Sequence, residues 1–302
     1  MKHHNYVKEE LKKEKKPLSP EMTETYLQTV WRRFRRHKLA MVSCVVLIVI
    51  TLAALIGPLL SPYAPNATTG KFSGAPNAAH LLGTDQIGRD ELTRLFYGTR
   101  ISLLVGVLAA AISTGVGVVL GLVSGFFGGI VDAVIMRITD AFMSFPYILL
   151  VLVAASIFEP GLWSIILILG LVDWPGVARL VRSNVLSLRE ANFVKSSLLS
   201  GMPKKYILFS DILPNTIAPV LVYATSVVAI SMLDEAALSF LGMGIQAPAA
   251  SLGNMLNGAQ NLTILTDKIW LWLPPGIVII LLVVAINFIG DALRDALDPT
   301  SL

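Results

Sequence analysis

Long uncharged runs separated by short clusters of charge dominate the chain: 39–70, 101–131, 141–158, 212–233 and 269–290. A helix crossing the lipid core needs about 20 mostly apolar residues. Each run therefore predicts a span, with loop to spare in the first two. A further apolar stretch, 161–185, is interrupted by Asp173, Arg179 and Arg182. If it also crosses, the leader and the segment 179–205 share one side of the membrane. Of the 24 Lys and Arg, only Lys71, Arg89, Arg94, Arg100 and Lys268 then fall on the other side. Positive charge is retained on the cytoplasmic face, so this distribution predicts six spans with both termini cytoplasmic.

Composition agrees. Hydrophobic residues make up 54% and charged residues 15%, against roughly 25% charged in soluble domains, which excludes a disordered chain and argues against a soluble one. The single Cys44 excludes an intrachain disulfide framework, and four scattered histidines are too few for a buried metal cluster. The charged leader is too long, and 39–60 too full a span, for a cleaved signal peptide. Lys2 excludes N-myristoylation, and the C-terminus carries no prenylation box. Lys12, Lys13, Lys15 and Lys16 with Glu9, Glu10 and Glu14 predict a solvated tail. Trp31-Arg32-Arg33-Phe34-Arg35-Arg36 predicts an interfacial helix on anionic headgroups.

Within the spans, Ser113, Gly117, Gly121, Gly125 and Gly129 recur every four residues. Such a ridge lets a neighbouring helix approach closely; a hinge or a pore lining is the sharper alternative. Ionisable groups in a span are costly, which singles out Asp173, beside Trp174 and Pro175. Its carboxylate either faces a water-filled passage, where it holds a cationic group of a substrate, or makes a structural hydrogen bond to a neighbouring helix. Arg137 and Asp140 are three apart and predict a boundary ion pair near Asp132. Asp291, Arg294 and Asp295 read the same way.

The segment 188–205 reads as a short helix, a Gly201-Met202-Pro203 turn and a second helix. Gly201 suits a helix C-terminus, and Pro203 cannot continue the helix before it. A helix–turn–helix held between two spans is a docking knob for a soluble partner; an inert loop is the alternative.

Here the sequence resembles the membrane permease subunits of binding-protein-dependent ABC importers. Their signature is Glu-Ala-Ala, three residues, Gly, nine residues, then an Ile-x-Leu-Pro-like ending. At that spacing the chain has Lys195-Ser196-Ser197, Gly201 and Asp211-Ile212-Leu213-Pro214. Gly201, Leu213 and Pro214 match; Lys195, Ser196 and Ser197 replace Glu and two Ala, which suggests an acidic complement in the partner, and Asp211 stands where the peptide branch often has His. Four longer blocks, 82–90 (LGTDQIGRD), 97–103 (YGTRISL), 235–244 (EAALSFLGMG) and 290–299 (GDALRDALDP), resemble the oligopeptide/dipeptide/nickel branch. The likeness is greatest to its second, C-type permease.

The resemblance implies an all-α integral membrane protein with the type I importer permease (MetI-like) fold. Its expected parts are a cytoplasmic tail with interfacial helix (1–37), a first span (38–60), an external segment (61–97), a five-helix transport core (98–292) and a cytoplasmic end (293–302). The external stretch 66–94 is expected to be a flexible link. The core holds a coupling segment (186–213) and an external loop (241–268). Glu190, Ala191, Phe193, Lys195, Ser196, Ser197, Gly201, Met202 and Pro203 would contact the ATPase. Asp173 and Glu235 are candidates for the translocation path. Gly242, Gly244, Pro248, Gly253 and Asn254 would face an extracellular binding protein, unless that loop is only a lid. Expected partners are a second permease in a heterodimer, two P-loop ATPases, a peptide-binding protein and the lipid bilayer, with no nucleic acid. No Walker A loop is present, since the only Gly-Lys pair, Gly70-Lys71, is followed by Phe72. The chain is thus expected not to be an enzyme and to hold no cofactor or metal, with ATP and Mg on partner subunits. Location in a bacterial or archaeal cell membrane follows. Peptides are the expected substrate and nickel or a nickel chelate the alternative. A gradient-driven transporter and a membrane enzyme are the readings from other classes; the first would favour inverted repeats, which are not evident, and the second needs a nucleophile–base pair or metal ligands within the spans, which are absent.

Overall fold

The apolar runs become helices, because in lipid a spanning backbone must satisfy its own hydrogen bonds. A computed structural model describes residues 25–297. In it, α1 (Tyr26–Arg36) and α2 (Lys38–Leu60) meet at His37. They are followed by α3 (Glu91–Phe127), α4 (Gly129–Ser144) and α5 (Tyr147–Ile157). Next come α6 (Leu162–Val172), α7 (Trp174–Arg189) and α8 (Asn192–Leu199). The long α9 (Lys204–Phe240) contains a π-helical turn at Ile207–Ile212. After α10 (Leu252–Leu256) and α11 (Leu262–Asp267), α12 (Leu273–Leu297) completes the described chain. The tail expected over 1–24, and residues 298–302, lie outside the described residues.

Among the described residues five helices are long and apolar enough to cross a membrane, α2, α3, α6 continued by α7, α9 and α12, and the expected six are reached if the bent pair α4–α5 counts as one broken span. The charge-interrupted stretch 161–185 is therefore part of a full-length candidate, Leu162–Arg189. The clean run 141–158 is not one straight span. It falls across α4 and α5, which are bent by 92°. The break lies at Phe145-Pro146, where Phe145 is extended (φ −88°, ψ 145°) because a residue before proline is driven out of the α region. The 11-residue α5 then spans only about 16 Å. A milder break at Asp173 (φ −93°, ψ 1°) separates α6 from α7, and Pro175 occupies the first turn of α7, where its missing N–H leaves no bond unmade.

The core is organised by α3. Along it, Gly117, Gly121 and Gly125 lie against Val177, Val181 and Val185 of α7. A Cβ on Gly117 would meet the Val177 Cβ at 2.4 Å, and one on Gly121 the Ala178 carbonyl at 2.6 Å. The ridge is thus a packing seam. Its last member, Gly129, lies beyond it with open space around it and φ +54°. Around the seam, Val177, Val181, Val185, Val194, Ile207 and Ile212 form one buried cluster. A second joins α3, α5 and α6 through Val105, Val151, Ile165 and Leu169. A third joins α3, α9 and α12 through Leu95, Met232, Leu282 and Ile286. Residues on α2 such as Val42, Val45, Val49 and Leu59 are exposed, as lipid-facing positions are.

The stretch 66–94, expected to be a flexible link, is instead folded. Asp85 accepts from the backbone N–H groups of Ile87 and Arg89. Thr84 accepts from the Gly74 N–H and donates to the Lys71 carbonyl. Asp90 caps α3 by accepting from the Thr93 N–H at 2.8 Å and also meets His80 Nδ1 at 2.8 Å. Short Asp and Thr side chains that bond nearby backbone fix such loops without regular structure.

The seam yields a prediction. Gly121→Ala overpacks it and is expected to cost about 1–3 kcal/mol, lowering the midpoint of thermal unfolding in detergent. Gly115→Ala, on the open face of the same helix, is expected not to lower it.

Candidate functional site

The break at Asp173 opens a cavity of about 240 Å³ inside the membrane region, lined by Phe142, Tyr147, Leu150, Asp173, Gly176 and Tyr223 among others. The side chain of Asp173 is half-buried and takes no hydrogen bond among the described residues. Tyr147 lines the same cavity and donates its hydroxyl to Asp234 Oδ2 at 2.8 Å, so a second carboxylate stands behind it, within electrostatic reach of Asp173. The Tyr223 ring packs over Gly176, where a Cβ would collide with its hydroxyl. Tyr223 also lines a second cleft of about 430 Å³, with Pro219, Ser226, Gly290, Asp291 and Arg294. One aromatic side chain thus stands between the cavity at the Asp173 break and a cleft between α9 and the end of α12. Of the expected boundary group Asp291, Arg294 and Asp295, no ion pair joins Asp291 to Arg294 among the described residues, and both line this cleft.

Glu235 does not join Asp173. It is fully buried and accepts from Ser102 Oγ at 2.8 Å and Ser239 Oγ at 2.7 Å. Those hydroxyls in turn accept from the Leu252 N–H and the Ile245 N–H. Neighbouring helix positions point about 100° apart, so of the adjacent acids only Asp234 reaches Tyr147 on the cavity wall. Glu235 is a structural rivet between α3, α9 and the loop that follows. Asp234, Tyr147 and Tyr223 were not singled out by sequence. The Asp234-Glu235 pair marked the place, and the helical period alone does not say which of the two faces inward.

At the inner end, Arg182 forks onto Asp132 with contacts of 2.5 and 2.6 Å, and Arg179 reaches Asp140 at 2.7 Å. The expected Arg137–Asp140 pair is therefore replaced by bridges across helices, because α4 folds back against α7 and brings better-aligned guanidiniums. Arg189, the last residue of α7, donates to the Gly125 carbonyl at 2.9 Å.

Beyond Arg189 stands the expected docking knob. Ala191 begins α8 in an extended conformation. The helix ends in a Schellman turn: the Gly201 N–H bonds the Leu198 carbonyl and the Met202 N–H bonds the Ser197 carbonyl, both at 3.1 Å. Gly201 adopts φ +72°, which favours glycine, and Pro203 opens the next helix. Val194 is fully buried and anchors α8 in the core cluster. Phe193, Leu198, Met202 and Tyr206 are exposed, and Leu199 is 90% exposed. Ser196 is exposed and Ser197 half-buried. Lys195 pairs with Glu190 at 2.9 Å, and its hydrogen bond holds the Glu190 carboxyl below its ordinary range. The lysine that replaces the signature glutamate thus has a partner within the chain.

At the outer end, Gly242 (φ +81°) closes α9 in a second Schellman turn, with Met243 N–H on the Leu238 carbonyl. A Cβ on Gly244 would strike Ser239, and one on Gly253 the Ala236 backbone. Asn254 Nδ2 donates to the Ile245 and Ala249 carbonyls, and Arg94 donates to the Pro248 carbonyl at 3.4 Å. These five loop residues hold the loop down against α3 and α9.

Comparison with known proteins follows the same lines. Residues 117–301 match the family described as binding-protein-dependent transport system inner membrane component, and residues 25–79 match the N-terminal TM domain of oligopeptide transport permease C. A Brucella suis biovar 1 protein named as a peptide permease is 44% identical over 88% of this chain and 89% of its own. The dipeptide transport system permease protein DppC of Bacillus subtilis is 40% identical over 91% of this chain and 86% of its own. DppC of Haemophilus influenzae is 37% identical over 91% and 95%. In fold, the chain is similar to an inward-facing structure of the MetNI methionine ABC transporter, with TM-score 0.55 and 21% identity over 68% of this chain and 96% of that one.

The two buried acids should separate by substitution. Glu235→Ala strands two buried hydroxyls and is expected to cost about 2 kcal/mol or more, read as a lowered unfolding midpoint. Asp173→Asn loses no hydrogen bond and is expected to leave that midpoint within about one degree.

Proposed function

Because the chain belongs to the family of binding-protein-dependent transport system inner membrane components, we propose that it is one permease half of an ATP-driven importer that carries peptides across a bacterial cell membrane. The peptide substrate is supported by the names of the relatives. In this reading a second permease completes the passage, two cytoplasmic ATPases bind ATP and Mg, and an extracellular protein delivers the substrate.

One observation carries the coupling role: an exposed, largely apolar knob fixed to the core. An apolar surface projecting between charged residues at a membrane's edge marks a protein interface. The Val194 anchor and the Arg189–Gly125 bond tie this knob to the α3–α7 seam. ATP-driven closure of the ATPases then moves α8, and α7 with it, relative to the second permease. Work of this kind needs different contacts at the knob in the two states. The broken spans supply the passage. Asp173, with Asp234 behind Tyr147, offers a negative wall to the ammonium end of a peptide, and Tyr223 stands between that cavity and the inner cleft. Glu235 supports this passage from outside it.

Two outcomes test the reading. In proteoliposomes holding the full complex, labelled dipeptide uptake is expected to require ATP and the binding protein, and Leu199→Glu on this chain is expected to reduce it more than about tenfold, since a charge is placed in an apolar interface. Gradient-driven uptake by this chain alone would contradict it. Asp173→Asn, in the same vesicles, is expected to slow uptake of peptides with a free amino terminus more than that of N-acetylated ones. Unchanged rates and an unchanged substrate range would remove Asp173 from the path.

A further inference from the structure

The basic joint between α1 and α2 takes no part in the transport reading. From residue 25 to residue 84 the sequence has no Asp or Glu, yet Arg32, Arg33, Arg35, Arg36 and Lys38 fall close together at that joint. α1 is closed at both ends. The Thr25 N–H donates to Gln28 Oε1 at 3.0 Å, and the His37 side chain accepts from the Ala40 N–H at 3.3 Å. A single extended residue, His37, joins α1 to α2, and α1 also packs against α12. Its place beside the first turn of the span is thus fixed by the fold.

Arg32 and Arg33 are engaged within the chain. Arg35, Arg36 and Lys38 are exposed and make no hydrogen bond or ion pair among the described residues. Cations suit the C-terminal end of a helix, and water alone satisfies such groups on many surfaces; two further observations point to lipid. Trp31, one turn before Arg35, is 58% exposed and stacks beside Phe34 with ring centroids 6.1 Å apart. An exposed indole among arginines suits the layer where headgroups meet acyl chains, because its ring is apolar and its N–H polar. Following the three cations, Leu39, Val42 and Val45 begin the exposed apolar stripe of α2. The cations therefore fall between an interfacial ring and the start of the lipid-facing surface. An anionic phospholipid complements both parts, its headgroup the charge and its acyl chains the ring and the stripe. A soluble acidic partner complements only the charge.

We propose that Arg35, Arg36 and Lys38, together with Trp31, form a site for the headgroups of anionic phospholipid. Each cation near a charged leaflet favours acidic lipid by about fivefold, so three at one joint concentrate it locally. The site ties α1, and through it the α12 against which it packs, to the membrane surface. It does not depend on what the transporter carries.

The test places the complete transporter in phosphatidylcholine vesicles that hold a minor fraction of lipid brominated near the glycerol, either phosphatidylglycerol or phosphatidylcholine at the same fraction. Quenching of Trp31 is read as the difference from Trp31→Phe, because the chain has five tryptophans. It is expected to be at least about twofold stronger with the brominated phosphatidylglycerol. Raising the salt about tenfold shortens the screening length and is expected to narrow that gap. The triple variant Arg35→Gln, Arg36→Gln, Lys38→Gln breaks no bond among the described residues and is expected to be quenched equally by the two lipids. Equal quenching in the wild type, or a preference that survives in the triple variant, overturns the site. Absence of quenching by either lipid places this surface against protein, an acidic stretch of the leader or of a partner subunit, and overturns it as well. Should the triple variant fail to assemble, the wild-type comparison and its salt dependence still decide.

Discussion

Contact between α3 and α7 is the constraint on which the rest of the molecule depends. Three glycines a turn apart let the two backbones approach until the valines of α7 touch the α3 main chain. In lipid, where apolar side chains gain little by leaving one hydrocarbon for another, close packing of small residues is a main source of helix association. The seam sets the position of everything fixed to either helix. At its inner end, Arg189 reaches the Gly125 carbonyl and α8 follows at once. Midway, α7 begins at the break that opens the Asp173 cavity. At its other end, α3 begins at the capped root that carries Asp90 and Glu91.

Charge inside this framework is sorted by how fully it is satisfied. Glu235 has both oxygens occupied by hydroxyls that themselves hold the following loop, so it is part of the structure. Asp132 and Arg182 neutralise each other with a two-pronged contact that fastens the bent α4 to α7. The carboxyls of Asp173 and Glu91 accept no hydrogen bond among the described residues, and both residues line cavities. An acid left open at a cavity wall costs stability unless a ligand or partner completes it.

Much of this was legible in the chain. Run lengths gave the spans, and the charge distribution rescued the interrupted stretch that became α6 and α7. The four-residue glycine spacing gave the seam, and Gly201-Met202-Pro203 gave the turn that ends α8, because each depends on local stereochemistry. What escaped depended on contacts between distant segments. The run 141–158 is uniformly apolar, so hydropathy reads it as one span; only the effect of Pro146 on Phe145 announces the bend. Arg137 and Asp140 satisfy a helix rule, yet Arg179 and Arg182 of α7 win the carboxylates once α4 folds back. The stretch 66–94 looks like a linker because its order comes from single Asp and Thr side chains bonding backbone several residues away. Asp234 and Glu235 are adjacent, and which of them meets the Tyr147 hydroxyl is set by the packing of α9.

If the seam is rigid, movement at α8 must carry α3 and α7 along as one body. Cys44 is the only cysteine, so a Cys44→Ser background allows spin labels at Gly115 on the open face of α3 and at Ser200 at the end of α8. The distance between them would be measured by pulsed electron resonance in the assembled transporter, without nucleotide and with ATP trapped. A rigid seam predicts that the two distance distributions superimpose while distances from either label to the second permease change. A shift between Gly115 and Ser200 themselves would show that α8 moves independently of the seam and would contradict transmission through it.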